Sequence, residues 1–228
     1  MNMQVTWLGH AALAIAVGGR KLLIDPYLSE NPAAAAKAGD VDADFILITH
    51  GHYDHIGDTL AIARRTGAIV LSTPGVARWL AAQGAGRVQE QGIGGKTAQP
   101  FGTLQLTKAV HDGSLPDRSS GGAPAGFVII SPEGRKAYIA GDTFLFDEMA
   151  AIGEENLDLA VLPIGGKFTM DPGDALRAVE LLRPQAALPY HYGTWQMIQQ
   201  DPERWKRDVE ASTPTRVTVL KPGENLVI

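Results

Sequence analysis

Three of the six histidines in this 228-residue chain fall within six positions, in the run Thr49-His50-Gly51-His52-Tyr53-Asp54-His55. Imidazole and carboxylate are good ligands for zinc and similar ions, and both must lose a proton to bind. His50 and His52 lie two apart, so an extended segment sets them on one side. Asp54 and His55 come past the turn and can face another direction, which suits two metal ions better than one. Phe45-Ile46-Leu47-Ile48 leads in and Gly57 follows closely, the pattern of a buried strand that stops and releases a tight loop loaded with ligands. A histidine-rich surface tract is the bland alternative. Against it, this run is internal, is interrupted by other residues and follows an apolar strand directly.

Site residues are commonly presented where a strand gives way to a loop, because the scaffold behind is rigid. Three more residues fit that rule. His111 ends the alternating segment Thr103 to Val110, Asp142 follows Tyr138-Ile139-Ala140-Gly141, and His191 follows Ala186-Ala187-Leu188-Pro189-Tyr190. His10 closes Trp7-Leu8-Gly9-His10 and is either a hydrogen-bonded core histidine or a site residue. Asp25 either caps the turn before Pro26 or orients a ligand histidine from behind. Lys167 and Arg118 are the nearest bases that could grip an anionic substrate, and both read as solvated surface charges.

The elements that must position these residues are short apolar strands alternating with alanine-rich helices. Met3 to Leu8 and Ala12 to Val17 read as a strand pair, with Gly18-Gly19 turning into a third strand from Lys21 to Ile24. Asn31-Pro32, then Ala33 to Lys37 and Gly39, reads as a short capped helix. Further helices are expected over Thr59 to Arg65, Pro74 to Gln83, and from Asp171-Pro172 and Asp201-Pro202. Further strands are expected over Ala68 to Leu71, Gly126 to Ile130, Lys136 to Ala140 and Arg216 to Leu220. Ser114 to Gly126, rich in proline, glycine and serine, reads as a flexible loop. A faint repeat also shows. Gly19-Arg20-Lys21 with Asp25 echoes Gly134-Arg135-Lys136 with Asp142, and Asp44-Phe45-Ile46-Leu47 echoes Asp158-Leu159-Ala160-Val161, at offsets of 115 and 114 residues. Two similar halves within a single domain, 1–228, would leave such a trace.

Composition narrows the function classes. Apolar residues make up 45% of the chain, enough for a substantial core, and the net charge of −5 gives no basic field for a nucleic-acid backbone. Cysteine is absent, so there is no disulfide framework and any metal must be held by histidine and carboxylate. The N-terminus lacks a signal-peptide pattern, and the apolar runs are too short to span a bilayer. The expectation is a soluble cytoplasmic protein with a small-molecule substrate and neither a nucleic-acid nor a membrane partner, its homo-oligomeric state left open.

Taken in order, His50, His52, Asp54, His55, His111, Asp142 and His191 resemble the signature of the metallo-β-lactamase superfamily over nearly the whole chain. Trp7-Leu8-Gly9-His10, Ile24-Asp25-Pro26-Tyr27, Gly141-Asp142-Thr143, Phe168-Thr169-Met170 and His191-Tyr192-Gly193-Thr194 carry a narrower likeness to its small single-domain hydrolases near the ascorbate-phosphate lactonase branch. The resemblance implies an α/β (α+β) fold: a four-layer αβ/βα sandwich of two mixed sheets with helices outside. It assigns His50, His52 and His111 to one metal, Asp54, His55 and His191 to a second, and Asp142 to both. The ions would be two divalent cations, zinc first, with manganese, iron or nickel as alternatives.

The implied activity is hydrolysis of a small ester, lactone, amide or phosphoester. Water shared by two such ions becomes hydroxide near neutral pH. Asp54 would orient it, and His10 or solvent would protonate the leaving group. One rival is iron oxidoreductase or dioxygenase chemistry on the same fold. Di-iron members tend to carry an acid where this chain has His52, and usually a flavin domain as well. The other rival is a non-catalytic metal-binding or nucleic-acid-processing module. Relatives of that kind usually add an RNA exosite, which this sequence lacks.

Overall fold

The end of strand β3 (Arg20–Ile24), Leu22 to Ile24, and all of β4 (Phe45–Ile48) are apolar without alternation because both faces are covered there. Leu22, Ile24, Phe45 and Leu47 point into a core shared with the opposite sheet, while Leu23, Ile46 and Ile48 pack outward under helices. The computed structural model describes residues 3–228. It contains two seven-stranded sheets. The first runs β14 (Asn225–Val227), β1 (Gln4–Gly9), β2 (Ala12–Val17), β3, β4, β5 (Ile69–Ser72) and β6 (Val88–Glu90). The second runs β13 (Arg216–Val217), β12 (Ala186–Tyr190), β11 (Leu159–Pro163), β10 (Lys136–Ile139), β9 (Ala125–Ile130), β8 (Gly102–Lys108) and β7 (Lys96–Gln99).

The two sheets face each other across one buried cluster that draws Val5, Ile15, Ile24 and Leu47 from the first and Leu106, Phe127, Ile139, Val161 and Leu188 from the second. Helices α2 (Thr59–Thr66) and α3 (Pro74–Ala82) cover the first sheet through Ile62, Ala63, Val76 and Leu80. Helices α4 (Met149–Gly153), α5 (Pro172–Leu182) and α6 (Pro202–Ser212) cover the second through Met149, Val179, Leu182, Trp205 and Val209. The result is the four-layer α+β sandwich expected. Asp171 and Asp201 cap α5 and α6, each carboxylate accepting the amide three residues on.

The repeat is a structural one. In the first sheet β2/β3 is antiparallel and β3/β4 and β4/β5 are parallel. In the second β9/β10 is antiparallel and β10/β11 and β11/β12 are parallel. The matching residues make matching bonds. The amide of Lys21 donates to Asp44 Oδ2 at 2.8 Å, and the amide of Lys136 donates to Asp158 Oδ2 at 2.8 Å. Arg20 and Arg135 pair with the same two aspartates.

Four expectations are corrected. No helix forms over 31–39. The Asn31 side chain accepts the Ala33 amide, and the Ala35 amide donates to Leu8 O, so the segment is tied across the end of β1 and cannot close a helical ladder. The strand before His111 stops at Lys108, and the expected late strand keeps only Arg216 and Val217 in β13. Residues 114–124 are a bonded loop rather than a loose one, and 125–126 already belong to β9: Leu115 N–H donates to Ser119 O, Gly121 N–H to Gly113 O, and Trp79 Nε1–H to Asp117. No helix among the described residues is long and apolar enough to cross a membrane.

Candidate metal centre

His10, Asp25, His50, His111, Asp142 and His191 each come just after a strand: β1, β3, β4, β8, β10 and β12 respectively. Within each sheet these strands run parallel to one another, whether directly or through an intervening antiparallel neighbour. Their carboxyl ends therefore gather at one edge of the sandwich. His52 N-caps a single helical turn, α1 (Tyr53–Ile56), which carries Asp54 and His55 and so turns these two toward a different direction from His50 and His52. Gly51 is required between the two histidines, since a Cβ there would stand 2.7 Å from Ser114 O. His10, Asp25 and His191 all take left-handed backbone conformations, φ +54°, +43° and +54°. Such strain at non-glycine residues persists only where the surroundings hold it.

The imidazoles converge in two groups. His50 Nε2 and His111 Nε2 lie 2.9 and 3.3 Å from His52 Nδ1. Asp142 Oδ2 lies 3.1 Å from His191 Nε2, 3.4 Å from His55 Nε2 and 3.6 Å from His111 Nε2, so it stands between the groups. Asp54 joins His55, His191 and His10 in a set whose ligand-type atoms all lie within 4.8 Å of one another. All seven residues singled out as ligands in the sequence are brought together, with His10 beside them.

Outside this cluster a ring of acceptors fixes which nitrogen of each imidazole faces in. The Thr49 amide and hydroxyl donate to Asp25 Oδ1 and Oδ2 at 2.8 and 2.7 Å. Since that hydroxyl has spent its proton, it accepts from His50 Nδ1 at 2.9 Å. His55 Nδ1 donates to Asp25 Oδ2 at 2.8 Å, and His52 Nε2 to Asp112 Oδ2 at 3.1 Å. Each of these three rings, in its neutral form, thereby turns a lone pair inward. Asp25 holds His55, a candidate ligand, from behind. His10 is similarly fixed: Nε2 donates to Asp54 Oδ2 at 3.1 Å, and Nδ1 accepts from Thr194 Oγ1 at 2.8 Å.

The site's charges depend on one another. Burial pushes His50 well below its ordinary range, so it stays neutral and able to ligate. Burial and the adjacent His191 lower His10 to about 4, against the pull of Asp54. In Asp54 and Asp142, burial acts upward but is outweighed, and both stay below the carboxylate range: Asp54 through its bond from His10 and the charge of His55, Asp142 through His191 and His55. His55 goes the other way. Burial would lower it, yet Asp142 and Asp25 hold it well above its usual value.

Those features fit bound cations. His55 Nε2, both ring nitrogens of His191 and Asp142 Oδ1 are buried without a hydrogen-bond partner among the described residues, a costly state unless something else binds there. The inward atoms are all nitrogen and oxygen, a donor set that suits zinc and also accepts iron or manganese. Thr49, Asp112 and Thr194 escaped sequence reading as supports. Thr49 and Thr194 stand within the quoted runs Thr49 to His55 and His191 to Thr194, and Asp112 follows His111 directly; nothing in those runs marks a hydrogen-bonding role.

The comparisons agree with this geometry. The family described as "Beta-lactamase superfamily domain" matches residues 20–192. A "UPF0173 metal-dependent hydrolase" of Pelotomaculum thermopropionicum is 46% identical, over 98% of this chain and 99% of its own length. Another of the same name, from Methanopyrus kandleri, is 44% identical over 98% of this chain and 99% of its own. Among solved structures, a metallo hydrolase of Ignicoccus hospitalis superposes with a TM-score of 0.90 at 37% identity, covering 100% of this chain and 99% of that one.

Proposed function

The chain belongs to the β-lactamase superfamily and is a metal-dependent hydrolase of the metallo-β-lactamase fold, and we propose that it works with two divalent cations, zinc by preference, on a small ester, lactone, amide or phosphoester. One observation carries this reading: the inward lone pairs of His50, His52 and His55, each fixed by a hydrogen bond at the ring's other nitrogen. In it, His50, His52 and His111 hold one cation, Asp54, His55 and His191 hold the second, and Asp142 serves both. Bound there, the cations supply Lewis acidity and make water acidic enough to attack near neutral pH. Asp54 is placed to orient that water, because His10 fixes one of its oxygens at 3.1 Å. Asp25, Thr49 and Asp112 keep the histidines aimed. Protein purified without added metal should carry about two zinc ions per chain and should hydrolyse some member of a panel of lactones, thioesters and phosphodiesters. A single tightly held ion, or iron accompanied by oxygen consumption and no hydrolysis, would overturn it.

His10 is a positioning residue in this reading. It is fully buried behind Asp54 and does not line the cavity in front of the metal ligands. Its lowered pKa keeps the ring neutral at pH 7. His10→Ala is expected to cut turnover by roughly 10- to 100-fold and to weaken the cation held by Asp54, by freeing that carboxylate to rotate. It also leaves Thr194 unpaired, at a cost of about 1–3 kcal/mol. Metal content and turnover per folded molecule check this. Normal values of both, with only the melting temperature lowered, would make His10 a core histidine.

A further inference from the structure

We propose that the site selects a substrate whose group next to the scissile bond is apolar and uncharged, and that Phe168, Trp195 and Met197 grip that group. The proposal rests on the metal-hydrolase reading and adds the substrate class.

A cavity of about 450 Å³ lies in front of His52, Asp54, His111, Asp142 and His191. Its remaining walls are Tyr53, Phe168, Trp195 and Met197, and no lysine or arginine takes part. Tyr53, Phe168 and Met197 are 56, 44 and 55% exposed, among the few large hydrophobic residues that this surface leaves open. Isolated exposed hydrophobics need no explanation, but several around one concave site mark a ligand surface.

The walls are held in place. Gly166 and Lys167 take consecutive left-handed conformations, φ +67° and +54°, and so swing Phe168 to the cavity. That turn is pinned, since Gly166 N–H donates to Met170 O and Met170 N–H to Thr143 O, both at 3.0 Å. Trp195 and Met197 flank Gln196 in a short 3₁₀ turn, Gln196–Ile198, which is anchored by buried Ile198 and by Gly193 N–H donating to Ile198 O. The Trp195 ring also packs 4.8 Å from that of His10.

The nearby bases stand outside the lining of this cavity. Lys167 Nζ sits over the Phe168 ring, 5.2 Å from its centroid. Arg118 lines a neighbouring cavity of about 600 Å³ that shares His111 with this one. A charged substrate tail would therefore lose water against Tyr53, Phe168, Trp195 and Met197, whose side chains offer no opposite charge, while an alkyl or aryl tail would gain by burial.

Hydroxamates test this, because they ligate metal whatever reaction the enzyme performs. Acetohydroxamate, butyrohydroxamate, hexanohydroxamate and succinate monohydroxamate, which puts a carboxylate where butyrohydroxamate has its methyl, would be titrated calorimetrically into the zinc-loaded protein. Hexanohydroxamate is expected to bind about tenfold or more tighter than acetohydroxamate, and butyrohydroxamate tighter than its succinate counterpart. Phe168→Ala with Met197→Ala should erase the gain with chain length and leave acetohydroxamate unchanged. Equal affinities along the series, or tightest binding of the succinate compound, would overturn the proposal while leaving the metal reading intact. If no hydroxamate binds, the metal reading itself fails and takes this one with it. The wild-type series decides alone should the double variant not fold.

Discussion

Asp142→Ala is expected to lose at least one of two bound cations and about 10³-fold or more in kcat/KM, with the fold retained. The magnitude follows from the stabilisation of several kcal/mol that a metal supplies in such reactions, at 1.36 kcal/mol per factor of ten. Asp142 is singled out because it is the meeting point of the two halves. It comes from β10 in the second sheet, yet its Oδ2 lies 3.4 Å from His55, which follows β4 in the first. Its other oxygen is buried with no hydrogen-bond partner among the described residues, an acceptor that a bound cation would satisfy. The fold should survive, since the carboxylate is held at the end of a strand and contributes no packing to the main core. Asp142→Asn separates charge from shape: it keeps the volume and should still lose metal. The measurements are metal content, turnover and circular dichroism on all three proteins. Two ions retained in Asp142→Ala with undiminished turnover would remove Asp142 from the site.

Much of this site was legible in the sequence because ligands at strand ends leave a strong local mark: an apolar run, then a histidine or aspartate. His50, Asp142 and His191 all announce themselves in this way. The repeat was legible for a related reason. Asp44 and Asp158 open equivalent strands and bind equivalent amides, so the same residue types recur at nearly the same offset. The parts that escaped are those whose cause lies far along the chain. β6, β7 and β14 are three of the four sheet edges, short and largely exposed, and no apolar alternation betrays them. The alanines after Asn31 favour helix locally but are overruled by the bond from Ala35 to Leu8. Asp112 reads as a surface acid and is one by exposure; only the fold places it 3.1 Å from His52. Phe168 and Met197 give no sequence signal of a cavity wall, because a wall is made by loops that follow different strands.

Removing the metal should lower the melting temperature by roughly 10 °C. A ligand that binds only the folded state stabilises it by about 4 kcal/mol at a thousandfold excess over Kd, and a chain of this length shifts by roughly 2–4 °C per kcal/mol. The structure gives the effect its direction. Asp54 and Asp142 are both held as carboxylates within one buried cluster, and each raises the energy of ionising the other. His55 Nε2 and His191 Nε2 stand beside Asp142 without hydrogen-bond partners among the described residues. A divalent cation removes both penalties together: it neutralises the repulsion and gives the inward lone pairs a partner. Without it, the chain must hold seven polar side chains around one point with only protons to balance them. Chelation followed by verification of metal loss, then thermal unfolding, measures the difference, and zinc added back should restore the original value. Asp142→Ala sharpens the test. It relieves the repulsion and also weakens binding, so its melting temperature should respond less to chelation than that of the wild type. If verified removal leaves the wild-type melting temperature unchanged, the cluster contributes nothing to the folded state through metal, and its strained left-handed residues would need another source of compensation.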